Sequence, residues 1–211
     1  GADDCKVLMT GIIDFAKAAV KGAPQFADEE VAAIARAARA HGLPTFAHCS
    51  GRPGIEQALA AGIDSIEHGF FLYDDALARM AERGTAWVPT WSPVAFVRDH
   101  GAMIGLDASE RDGVARILDL HLENIAIADR RGVALVAGSD AGSYGVVHGA
   151  ALTDELRCFE QAGLSLAAIL RSATSTPRRA WGVAGGTIAI GAPADLAAYR
   201  AVPTAGLREL D

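Results

Sequence analysis

Apolar positions fall into two kinds of segment that alternate along the chain. Short continuous apolar runs occupy 6–9, 45–48, 64–68, 85–88 and 134–137, and longer stretches between them space their apolar residues by three and four. Four of the runs follow a glycine that ends the preceding stretch: Arg39-Ala40-His41-Gly42, Ala60-Ala61-Gly62, Glu82-Arg83-Gly84 and Arg130-Arg131-Gly132. Glycine stops a helix because it accepts the left-handed conformation just past the last turn. Runs that are apolar throughout, rather than at every second position, predict parallel strands buried on both faces. The stretches between them carry helix-start signals. Asp28 stands as an N-cap before Glu29, Glu30 and the spacing Val31, Ile34, Ala35, Ala38; Asp74 and Asp75 precede 76–80 in the same way. Ser109 precedes a long stretch, 110–131, with Val114, Ile117, Leu118, His121, Leu122 and Ile125 on one face.

Five strands, each followed by helix, predict a parallel α/β architecture. No Gly-x-Gly-x-x-Gly and no Walker sequence follows any strand, which removes the usual supports for a nucleotide-binding open sheet. The alternative is a (β/α) barrel, whose functional side chains come from the C-terminal ends of several strands. The chemistry-bearing residues fall there. Lys6 lies in the first run, His48 ends the second, His68 ends the third, and Asp140 closes Ala137-Gly138-Ser139-Asp140 after the fifth. Two imidazoles suit zinc or a similar borderline metal, and a carboxylate can coordinate or act as base. Asp140 is expected to be partly desolvated, and a carboxylate there requires a partner such as a cation. His41, His100 and His121 lie in or beside helices and read as structural.

The 211 residues are 51% hydrophobic, with a formal charge of −7. That is enough chain for a substantial core. The acidic balance and scattered positives argue against nucleic acid and anionic membrane as partners. No apolar run approaches the roughly 20 residues that span a bilayer. Cys5, Cys49 and Cys158 lack Cys-x-x-Cys spacing and read as free thiols of a reducing, cytoplasmic compartment. The chain opens at Gly1 and enters an apolar run at once, so the expectation is that further sequence precedes it.

Ala47-His48-Cys49-Ser50-Gly51 and Ala60-Ala61-Gly62-Ile63-Asp64-Ser65-Ile66-Glu67-His68-Gly69 resemble the fifth and sixth strand ends of the amidohydrolase superfamily. Gly138-Ser139-Asp140-Ala141-Gly142 is similar to its eighth-strand motif. Ala173-Thr174-Ser175-Thr176-Pro177 and the block from Gly186 through Asp195-Leu196 resemble the return into its small β-domain. The branch that looks nearest is the imidazolonepropionase-like and Xaa-Pro or Xaa-Arg dipeptidase group. The resemblance implies a partial (β/α)8 TIM-like barrel, strands four to eight, over 1–184, and an incomplete small β-sandwich domain over 185–211.

It also implies roles. Lys6 matches a lysine that is carboxylated and bridges two metal ions. Carboxylation needs a neutral amine, so burial is expected to pull the lysine pKa below its reference of about 10.4. His48 and His68 match ligands of the more exposed metal. Asp140 matches the residue that touches the buried metal and takes a proton from the attacking water. The implied cofactors are two divalent metal ions, zinc first among them, and the implied reaction is hydrolysis of an amide or peptide C–N bond by a metal-activated hydroxide, of the dipeptidase or prolidase type. The implied partners are a small-molecule amide or dipeptide substrate and, for the complete enzyme, copies of itself in a homo-oligomer. The family also uses a His-x-His pair, which this sequence lacks. Weaker substrate-binding candidates are His148, Thr10 and Gly11; Trp91 is a candidate pocket wall, and Arg98 and Tyr144 candidate carboxylate binders. Two alternatives stay open: a cyclic-amide hydrolase or aminohydrolase of the same superfamily, and a catalytically incomplete half-barrel that pairs with another chain.

Overall fold

The computed structural model of the chain describes residues 1–198 and Leu207. Its elements run β1 (Cys5–Leu8), β2 (Ile13–Asp14), β3 (Ala19–Val20), α1 (Asp28–Ala40), β4 (Thr45–Cys49), α2 (Arg52–Ala61), β5 (Ser65–His68), α3 (Asp74–Arg83), β6 (Ala86–Val88), α4 (Trp91–His100), α5 (Ala108–Arg131), β7 (Ala134–Leu135), α6 (Ala150–Gln161), α7 (Leu166–Ser172) and α8 (Ser175–Ala180). The five expected strands form one parallel sheet in the order β1-β4-β5-β6-β7, and among the described residues both β1 and β7 are edges. Pairing in register sets Leu8 beside His48, and His48 beside Glu67.

Alternation along the strands divides the sheet. Val7, Ala47, Cys49, Ile66, Trp87 and Leu135 join the main core with Val31, Ile55, Leu59, Leu77, Met80, Leu118, Ile125 and Phe159 of the helices. Ala86, Val88 and Val136 form a separate small cluster, packed with Trp181, whose ring lies 5.0 Å from that of Phe46. This second face carries Lys6, His48 and Glu67, and is covered only in part.

The left-handed stops after helices are present at Gly62, Gly84 and Gly132. The helix starts differ from expectation by one or two residues. Ala27, not Asp28, is the N-cap of α1, and Tyr73, not Asp74, that of α3. Asp107, not Ser109, caps α5: its side chain accepts from Glu110 N at 2.8 Å while Glu110 accepts from Asp107 N at 3.0 Å. The reciprocal pair satisfies two otherwise open donors, which Ser109 inside the first turn could not do. The fifth run is also shorter than the sequence suggests. Val136 N still bonds to Trp87 O, but Ala137 N turns to Ser172 O at the end of α7, so Asp140 lies in a loop beyond the sheet. Residues 185–198 contain no helix or strand; the remainder of the expected β-domain segment, 199–206 and 208–211, lies outside the described residues. Cys5, Cys49 and Cys158 are free thiols, and no described helix is long and apolar enough to cross a membrane.

Two unanticipated features shape the mouth of the sheet. The hairpin β2–β3 follows β1 and rests on α5, where a Cβ on Gly113 would collide with the Phe15 carbonyl. The start of α4 is held from α6: the fully buried Glu155 carboxylate accepts from Trp91 N (2.9 Å), Ser92 N (2.6 Å) and Ser92 Oγ (2.6 Å). These bonds satisfy donors that a helix N-terminus leaves open.

Gly113→Ala tests the hairpin's seat. Alanine in a helix interior normally adds about 1 kcal/mol over glycine, whereas overpacking costs about 1–3 kcal/mol. The expected result in urea denaturation is a net loss of stability, with faster proteolysis within 12–21. A variant as stable as the parent would show that the hairpin does not rest on α5.

Candidate functional site

The C-terminal ends of β4, β5 and β6 open on a cavity of about 220 Å³, lined by Gly11, His48, Ser50, His68, Phe70, Thr90, Val94 and Asp140, with Ile12, Ile13 and Phe15 from the hairpin side. Three adjacent strand exits contribute a non-glycine residue in the left-handed region: His68 (φ 67°), Thr90 (φ 50°) and Asp140 (φ 51°). Such conformations cost roughly 1–3 kcal/mol each and persist only where the surroundings over-determine them. For Thr90, β-branched, the strain is greatest in kind.

The surroundings of His68 show how it is held. Trp87 Nε1–H donates to the His68 carbonyl at 3.0 Å, and Gly69 beside it leaves no room for a Cβ against the indole. On the side chain, Nδ1 lies 2.7 Å from Thr90 Oγ1. The His48 and His68 rings meet edge to face, with centroids 4.5 Å apart. Burial lowers the His68 pKa to about 3, helped by His48, Lys6 and His121. His48 is also lowered, first by burial and then by Lys6, against opposing effects from Asp140 and the Gly11 and Thr10 backbone. At neutral pH both rings are therefore uncharged, each with a ring nitrogen able to bind a metal.

The other expected residues are placed as follows. Lys6 is not buried: its side chain is 44% exposed, with Nζ 3.9 Å from Glu67 Oε2. The edge position of β1 leaves it open on one side. Asp140 reaches the cavity but is exposed rather than desolvated, because the chain has left the sheet; Ser143 Oγ donates to its Oδ2 at 2.9 Å. Gly11 lines the cavity. Thr10 is buried just beneath, its Oγ1 accepting from Ser50 N at 3.1 Å, and faces a separate groove beside α2. His148 is exposed and does not line the cavity. Trp91 is buried in α4 and lines a different groove, between α4 and α6; Arg98 is paired with Asp99, and Tyr144 packs edge-on against Phe96.

Two functional candidates went unread in the sequence. Glu67 sits beside His48 on the same face, its pKa raised by burial against the opposing pull of its Ser65 hydrogen bond (2.6 Å) and of Lys6. Its signal was available, one position before His68 within Asp64-Ser65-Ile66-Glu67-His68-Gly69. Thr90 had no comparable signal beyond following Pro89 at a strand exit.

The donor chemistry fits a divalent metal in part. Two neutral imidazoles side by side are suitable ligands, but among the described residues no three His, Cys, Asp or Glu side chains converge as a metal-sized cage.

Comparison with known proteins bears on the family and the fold. A family model described as the amidohydrolase family matches residues 1–206. An uncharacterized protein of Mycobacterium tuberculosis is 32% identical over 187 residues, which cover 87% of this chain and 49% of that protein. Among solved structures, a Xaa-Pro dipeptidase with methionine bound in its active site is 30% identical with a TM-score of 0.72, covering 87% of this chain and 44% of its own. A putative prolidase from Bifidobacterium longum is 25% identical with a TM-score of 0.79, covering 92% and 49%. The chain thus spans about half the length of these relatives.

His121 makes the site's surroundings acid-sensitive. It is fully buried in α5, stacked on Phe70 at 4.2 Å, and burial lowers its pKa to about 4. Unfolded, it titrates near 6.5. As pH falls below about 6.5 the unfolded chain binds a proton that the folded chain refuses, so stability is lost progressively toward pH 4. Glu155, raised to about 7, acts in the opposite sense between its unfolded value and 7, so a variant comparison is needed. Between pH 7 and pH 4.5, His121→Leu should lose less stability than the parent by on the order of 2–3 kcal/mol. Equal losses would mean that His121 is not held neutral.

Proposed function

Because this chain belongs to the amidohydrolase family, we propose that it carries part of the active site of a metal-dependent hydrolase that cleaves amide bonds, with Xaa-Pro dipeptides as the substrate class. One observation carries the reading: His68, Thr90 and Asp140, each in the left-handed region, leave three neighbouring strand exits and line one cavity together with His48. Strain gathered at one end of a parallel sheet is the mark of a site maintained for chemistry rather than for stability. The dipeptide class rests on the Xaa-Pro dipeptidase and the prolidase that the chain resembles.

His48 and His68 would hold one divalent ion, with zinc the first choice for a nitrogen-rich set. Lys6 and Asp140 would reach a second, and Lys6 would do so as a carbamate, gained with one CO2 and in place of its pairing with Glu67. The remaining ligands would come from other parts of a longer protein. A divalent ion held there supplies a water activated near neutral pH and polarises the substrate carbonyl. The chain's own residues do the rest. Asp140 stands at the mouth with Oδ2 engaged by Ser143, which leaves Oδ1 to take a proton from the attacking water and return it to the leaving nitrogen. Gly11, Ile12, Ile13 and Phe15 form an apolar wall against which the substrate would lie.

The test uses the complete protein, with metal content and proline release from Xaa-Pro dipeptides measured side by side. Asp140→Asn is isosteric but cannot accept and return a proton, so kcat should fall about 10²–10⁴-fold with KM and metal content little changed. His68→Asn should instead lower metal content. A carbamate on Lys6 adds the mass of one CO2, and ¹³CO2 should give a carbamate resonance that Lys6→Met abolishes. Near-normal turnover in Asp140→Asn would leave the mechanism without a base.

A further inference from the structure

Thr90 has one hydroxyl proton and two close partners. Its Oγ1 lies 2.8 Å from the Pro89 carbonyl and 2.7 Å from His68 Nδ1. The Pro89 carbonyl also lies 3.0 Å from His121 Nε2, whose other ring nitrogen, buried, has no partner among the described residues. A carbonyl oxygen has two lone pairs, so it can accept from both Thr90 and His121. If it does, the Thr90 oxygen has only acceptor capacity left for His68, and His68 must carry its proton on Nδ1. The unprotonated nitrogen is then Nε2, on the side of the ring away from Thr90. In the opposite arrangement Thr90 would donate to His68, the proton would sit on Nε2, and the Pro89 carbonyl would lose its hydroxyl donor.

We propose that Thr90 is a positioning residue that fixes the tautomer of His68, with Nδ1 protonated and Nε2 left as a free lone pair. His121 shares the Pro89 carbonyl without displacing the Thr90 hydroxyl, since that oxygen has a lone pair for each. This explains why a β-branched residue is kept at φ 50° where glycine or asparagine would be less strained: the hydroxyl has to stand at that point of the strand exit. It also explains why the residue is 3% exposed, since water at Oγ1 would compete for the same lone pair. The other ring nitrogen of a metal-binding histidine sets which nitrogen is free for the metal, and loss of such a partner typically weakens metal binding about 10–100-fold. The metal-binding consequence rests on the reading of His68 as a ligand; the tautomer does not.

The experiment compares the parent with Thr90→Val, isosteric and equally branched but without the oxygen, and Thr90→Ser, which keeps it. Long-range ¹H–¹⁵N correlation spectra of the metal-free protein report which ring nitrogen carries the proton, with His68 signals identified by their loss in His68→Asn. The expected result is a single Nδ1–H tautomer in the parent and in Thr90→Ser, and a mixture in Thr90→Val. Titration with Zn²⁺ should show about 10–100-fold weaker binding in Thr90→Val and near-parental binding in Thr90→Ser. An Nε2–H tautomer in the parent, or an unchanged tautomer in Thr90→Val, overturns the proposal. If Thr90→Val does not fold, the parent and Thr90→Ser spectra decide it alone. If the tautomer follows the hydroxyl but no form binds Zn²⁺, the positioning role stands and it is the metal-ligand reading of His68 that falls.

Discussion

The mouth of this sheet depends on one hydrogen bond, from the Trp87 indole to the carbonyl of His68. Trp87 is wholly buried at the centre of β6, so it is a fixed point. By accepting from it, the His68 carbonyl commits the chain to leave β5 in the left-handed region rather than to continue extended. From there the ring of His68 meets His48 on one side and Thr90 on the other. A buried tryptophan whose N–H has a partner satisfies the core's own requirement. Here that requirement also decides where an imidazole stands, so packing and chemistry are set by the same contact.

What the sequence made legible follows from what strands and helices demand locally. His48 and His68 could be read because each ends an apolar run, and a parallel sheet sends all such ends the same way. The glycine stops could be read because the left-handed residue after a helix has few substitutes. The hairpin could not, since its two-residue strands carry no period, and its place depends on Gly113 about a hundred positions later. Nor could Thr90: its part comes from Pro89, His121 and His68 meeting across three elements, and no local pattern encodes that meeting. The burial expected of Lys6 and Asp140 failed for a related reason. The sequence gives a residue's position along a strand, but exposure depends on whether that strand is an edge and on where the chain quits the sheet.

The electrostatics of the second face are balanced within it. Lys6 faces Glu67, which pairs in register with His48, and Asp140 opposes at the rim. The two imidazoles are kept neutral mainly by burial; at His48 the charges of Lys6 and Asp140 oppose each other, whereas at His68 the neighbouring groups all act with burial. If the proposed dication is held here, it need not first expel protons from these histidines, which lowers the pH below which binding would fail.

The grip of Glu155 on the start of α4 joins positions more than sixty residues apart in the chain. Contacts of that separation close late, because the loop between them must be ordered before they return anything. On a ribosome, β6 and Thr90 emerge long before α6 does, so the exit of β6 waits without its anchor while some sixty more residues are made. The core of strands β1, β4 and β5 with their helices can assemble in that interval. The cavity cannot acquire its final outline until residue 155 has been synthesised and has docked, so its outline is set later than the strands that bear it.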